Sequence, residues 1–168
     1  MSSEEWWEQG TRAPRDIERE GLRARVPEGW DCRIGKQFET GEGERTFLVL
    51  HAATRPLTGP RADYGGGVVE TLGAKDVFVA LIEFGAQEAG SALFKQVSEL
   101  PTLEVSQFHR NQLQRRIRGQ AGVQHFFTIN GRPFCMYTVL GSIANAGMLV
   151  SRANELIRGL EVSTFDHG

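Results

Sequence analysis

From Gly21 onward, apolar and charged residues alternate. Leu22, Ala24 and Val26 bracket Arg23 and Arg25, the period-two pattern of a half-buried strand. Pro27-Glu28-Gly29 predicts a turn. Trp30, Cys32 and Ile34 then alternate with Asp31 and Arg33, which predicts a second strand. Residues 35–44 are polar and glycine-containing, a loop or hairpin end, and residues 46–52 predict a third strand that is apolar on both faces. Residues 55–67 contain Pro56, Gly59, Pro60 and Gly65-Gly66-Gly67 and predict a long connection. Residues 77–84 are almost continuously apolar. A strand with no polar face has both sides covered, so this one is expected at the centre of a sheet.

The clearest pattern lies near the C-terminus. Asn130-Gly131 is a hairpin signal because a type I′ turn needs positive φ at both central residues. With that turn, Phe127 faces Phe134, His125 faces Met136 and Val123 faces Thr138. The other side carries Phe126, Cys135, Tyr137 and Val139, so both faces of the hairpin are expected to be covered. Leu149, Ala153, Leu156 and Leu160 form one helical stripe, with Ile157 beside it, and predict a closing amphipathic helix. Ahead of the hairpin, Phe108, Leu113 and Ile117 fit a short helix starting at a Ser106 N-cap and stopped by Gly119. Residues 1–20 lack periodicity and read as a flexible tail, leaving residues 21–168 as a single domain. The predicted class is α+β: a largely antiparallel central sheet with helices packed on it.

Two features resemble those of a known family. One is the strand entry Val26-Pro27-Glu28-Gly29-Trp30. The other is the Asn130-Gly131 hairpin running into Leu149-Val150-Ser151-Arg152-Ala153-Asn154-Glu155-Leu156-Ile157. Together they resemble the PsbP-like fold family, which includes the photosystem accessory protein PsbP, a Ran-binding import factor and LpqN-type actinobacterial lipoproteins. The resemblance spans residues 21–163 and implies an α/β/α sandwich. It also implies a binding or accessory role rather than catalysis, by analogy of fold. The chain has no lipobox cysteine and no signal-peptide pattern, so it departs from the lipoprotein members, and no functional residue carries across.

Composition narrows the classes. A length of 168 residues and a net charge of -2 fit one globular domain, with no global attraction to nucleic acid or to an anionic membrane. Residues 1–20 are acidic and lack an apolar core, and no apolar run approaches a membrane span, so a cytoplasmic protein is expected. Cys32 and Cys135 each sit in a strand pattern and are expected as buried thiols. Trp6-Trp7 stands out in the tail, either docked on the domain or anchoring a partner.

No motif specifies a reaction. Gly65-Gly66-Gly67, after Tyr64, has neither P-loop spacing nor a dinucleotide fingerprint, so a reversing turn is the simpler account. A metal site would need His51 and His125 to converge with Glu70 or Glu83, which nothing in the spacing requires; neither a metal nor a cofactor is expected. His125 falls on an apolar face, where a hydrogen-bonded core histidine is commoner than a base. The main lead is Arg110, Arg115, Arg116 and Arg118, four guanidinium groups in nine residues. Such forks suit carboxylate or phosphate, whereas the plainer reading is a solvated face paired with Glu99 or Glu104. No RNA-binding aromatic signature accompanies them, which weakens the nucleic-acid version and leaves anion or nucleic-acid binding through residues 110–118 as an alternative. The expected partner is a protein, met through the arginine segment, the Tyr64 glycine loop, or both. A pocket near His125 is the enzyme or small-molecule alternative.

Overall fold

Hydrophobic alternation sets the strand pairing. The structure, a computed structural model, describes residues 13–36, 38–39, 43–44 and 47–164; Trp6 and Trp7 lie outside them. In chain order the strands are β1 (Arg15–Arg19), β2 (Leu22–Val26), β3 (Asp31–Gly35), β4 (Phe38–Glu39), β5 (Gly43–Glu44), β6 (Val49–Ala53), β7 (Val77–Glu83), β8 (Ala121–Ile129) and β9 (Arg132–Leu140). The helix α1 (Ala146–Arg158) and strand β10 (Leu160–Val162) follow. A five-stranded antiparallel sheet has the order β3-β6-β7-β9-β8, and a three-stranded one has β1-β2-β10. The fold is α+β.

Strand β7 is the middle strand of the larger sheet, as its unbroken apolar run predicts, and all seven of its residues are buried. The β8–β9 register pairs Phe127 with Phe134, His125 with Met136 and Val123 with Thr138, as the turn requires. Asn130 and Gly131 take φ of 52° and 78°, the left-handed pair of a type I′ turn.

The two faces of the sheet are covered differently. Leu50, Val79, Leu81, Phe134 and Met136 meet Leu149, Ala153 and Leu156 of α1, together with Leu22, Ala24 and Val162 of the smaller sheet. The opposite face, with Phe78, Ala80, Ile82, Tyr137 and Val139, is covered by Leu57, Val68 and Val69 and by the partly buried Leu113 and Ile117. Among the described residues a helix therefore lies on one face only. The second layer is irregular chain with a 3-10 turn at Val69–Thr71.

Three elements differ from the sequence reading. Residues 15–19, read as tail, form β1 and pair with β2 through a two-residue turn. That turn places Glu20 at φ 46°, where a non-glycine is uncommon, so no turn signal marks it. The helical stripe ends at Gly159. There the chain approaches the Arg25 carbonyl too closely for a side chain, and Leu160 begins a strand instead. Third, no helix starts at Ser106. Val105–Gln107 and Arg110–Gln112 are separate 3-10 turns, because Phe108 joins the helix-side core while Leu113 and Ile117 join the opposite one. The segment must wrap around the edge of β8. It does so at Gly122, where a Cβ would stand 2.8 Å from Leu113.

A buried ion pair joins the two sheets. Arg132, 1% exposed, donates from Nε and Nη2 to Glu83 at 2.8 and 2.9 Å. Its Nη1 donates to the carbonyls of Glu20 and Ser163, each at 3.0 Å. Replacing Arg132 with Met should destabilise the chain by about 3–5 kcal/mol by stranding a buried carboxylate, and Glu83→Leu added to it should recover part of that loss. Urea unfolding of the three proteins measures both effects.

Candidate functional site

His51 sits on the face of β6 opposite α1, beside Phe78. Its Nε2–H donates to the Asp63 carbonyl at 2.7 Å, and its Nδ1 accepts from Arg61 Nε at 3.2 Å. A carbonyl can only accept and a guanidinium N–H can only donate, so these partners fix a neutral tautomer. Burial drives its pKa down from 6.5 to about 4. His51 thus ties the connection 55–67 to the sheet. His125 lies on the other face, in β8, half-buried opposite Met136. Burial lowers its pKa, and its Nδ1 has no partner among the described residues. The two histidines do not converge, Glu83 is held by Arg132, and no metal-binding cluster occurs among the described residues.

Neither thiol is poised for chemistry. Cys32 and Cys135 are free and buried, and burial pushes each up to about 12. Tyr64 acts on the Cys135 thiol against the effect of burial, drawing its pKa down, while its ring packs edge-on against Tyr137 at 5.5 Å. Tyr64 is therefore half-buried on the sheet rather than standing free on its loop.

The glycine loop binds its own chain. The Gly67 N–H donates to Glu70 at 2.7 Å and the Gly65 N–H to the Ala62 carbonyl at 2.9 Å. A Cβ on Gly65 would stand 2.5 Å from the Phe78 ring, so close packing explains that glycine.

Arg110, Arg115, Arg116 and Arg118 are all exposed. Several residues between them are anchored to the domain. Leu113 and Ile117 pack into the second core, the Gln114 N–H donates to the Tyr137 hydroxyl at 2.8 Å, and Gln112 accepts two hydrogen bonds from Gln124 of β8. The only acid paired with these arginines among the described residues is Glu70, 3.6 Å from Arg115, rather than Glu99 or Glu104. That contact, with Gln120 donating to the Val69 carbonyl at 2.8 Å, sets the arginine segment against the glycine loop. Two of the three predicted regions thus adjoin, and His125 faces away from them.

A feature absent from the sequence reading is an open groove of about 1180 Å³ between the three-stranded sheet, the end of α1, the Ile129-Asn130 turn and residues 98–102. None of Tyr64, His125 and the four arginines lines it. Both β1 and β10 build it, two short strands that differ from the tail and helix expected over their residues. The signals were Ile17 alternating with charges, and Leu160-Glu161-Val162 after a helix-ending glycine.

No family model, curated protein or solved structure matches the chain. Among the described residues no helix is long and apolar enough to cross a membrane.

Two outcomes follow from the burial of these groups. His51 has a depressed folded pKa, so its contribution is intact above pH 6.5 and declines as pH falls from 6.5 towards 4. Urea unfolding should show about 2 kcal/mol less stability at pH 5 than at pH 7, and His51→Gln should flatten that dependence. Both cysteines should resist a thiol-specific disulfide reagent in the native chain at pH 8 and react fully in denaturant.

Proposed function

We propose that this chain is a cytosolic protein-interaction module that binds an acidic segment of a partner through Arg110, Arg115, Arg116 and Arg118. One observation carries the reading: four exposed guanidinium groups project from a segment fixed at both cores. Preorganised forks lose less freedom on binding a carboxylate than arginines on a floppy loop. The resemblance to PsbP-like accessory modules agrees with a binding role, as analogy only. Tyr64 supports the platform from beneath, through Tyr137. A small-molecule site at His125 has less support, because the groove lies elsewhere and Glu83 is committed to Arg132.

The double substitution Arg115→Glu/Arg116→Glu should abolish recovery of the partner in a pull-down. It should change stability by no more than about 1 kcal/mol, since only an exposed ion pair and a surface hydrogen bond are removed. Undiminished recovery refutes the proposal. Recovery that a nuclease eliminates, with steep salt dependence, replaces the protein partner with nucleic acid.

A further inference from the structure

We infer that the groove beside β10 binds an extended peptide, added as a fourth strand to the three-stranded sheet, with apolar and basic side chains alternating along it. This inference is independent of the arginine segment. Its basis is the edge of β10, which among the described residues ends the order β1-β2-β10 and carries no further strand. The Arg25 N–H donates to the Gly159 carbonyl and the Ser163 N–H to the Gly21 carbonyl, both at 2.8 Å. The antiparallel register between these bonds turns the backbone of Glu161 towards β2 and that of Leu160 and Val162 away from it, into the groove. Asn130 Nδ2 caps the Val162 carbonyl. The Leu160 carbonyl and the Val162 N–H have no partner among the described residues. Backbone groups of this kind along a strand edge pair with extended peptides in strand addition.

The groove also specifies side chains. Leu160 and Val162 point inward and Glu161 points out. A strand laid beside them would alternate in the same way, its inward residues meeting Leu100, Ile129 and Ile157 on the groove walls. Its outward residues would stand next to Glu161. Four carboxylates, Asp16, Glu18, Glu99 and Glu161, line the groove against two guanidinium groups, Arg23 and Arg158, and Arg23 is paired with Asp16 at 3.6 Å. The remaining charge is acidic, which selects lysine or arginine at outward positions. The other flank of β10 already holds such a neighbour. Strand β2, Leu-Arg-Ala-Arg-Val, places Leu22 and Ala24 opposite Val162 and Leu160, and Arg23 opposite Glu161. The free edge asks for the same pattern.

The test uses the full chain and a fluorescein-labelled peptide carrying the β2 sequence between flanking glycines. Fluorescence anisotropy should show saturable binding, with amide shifts at 98–102 and 160–163 in NMR spectra. N-methylation of the peptide's central alanine removes a donor to the strand edge and leaves the protein untouched. It should weaken binding by roughly tenfold or more, as should exchanging both peptide arginines for glutamate, or Glu161→Lys in the protein. Arg115→Glu/Arg116→Glu should leave peptide binding unchanged. Equal affinity for the N-methylated peptide, or shifts confined to other surfaces, overturns the proposal. A chain that sediments as a dimer and takes up no peptide assigns the edge to a second copy instead, and also overturns it.

Discussion

The Arg132–Glu83 pair is the joint on which the two sheets depend. Glu83 ends the central strand of the larger sheet, and Arg132 opens the strand beside it. The guanidinium then reaches two carbonyls of the smaller sheet, one in the β1–β2 turn and one just beyond β10. Burying a carboxylate and a guanidinium costs several kcal/mol in desolvation, and such a pair persists only when its geometry and remaining hydrogen bonds are good. Here the contact is bidentate, and the leftover donor meets both carbonyls. The pair also holds Glu20 in its left-handed conformation, which Lys36 supports from outside at 3.1 Å. One buried charge pair therefore ties the two sheets together and holds a turn in place.

The same logic governs the other buried polar groups. Asp31, fully buried, accepts from Arg15, Arg33 and the Leu57 N–H, which fixes the start of the long connection at the edge strand β3. His51 holds that connection further on, and Gln120 and Glu70 hold its end. An irregular layer has few backbone hydrogen bonds of its own, so side chains from the sheet and from neighbouring loops supply them. This is why a face without a helix can still form a closed second core. It also explains why residues with a chemical look, His51 and Glu83 among them, serve as fasteners.

Periodicity revealed what was regular. The central position of β7, the β8–β9 register and the inward stripe of α1 all follow from spacing, because each element repeats its burial pattern over several residues. Short elements escape this kind of reading. Strand β10 spans three residues and continues the helical stripe through Leu160, so one leucine satisfies both patterns. Strand β1 is hidden by charges on its exposed face and by a turn with glutamate where asparagine or glycine is usual. The segment 105–119 has helical spacing, but its apolar residues go to opposite faces of a sheet, a division that only tertiary structure decides. The arginines were visible as a cluster, their rigid mounting was not, and the groove was out of reach because it is made from the strands that sequence hides.

The pairing of β10 with β2 has a consequence for how the chain is made. Its partners lie at residues 22–24 and 160–162, so the smaller sheet cannot be completed until residue 162 has been synthesised. Before residues 160–163 are made, any β1–β2 hairpin has an open edge, and Arg132 lacks its Ser163 carbonyl. Contacts this distant in sequence form late and slowly, and exposed edges in the interim attract other chains. Until residues 160–162 emerge, the edge of β2 is available to any passing strand, and the chain's own β10 is the competitor that must win.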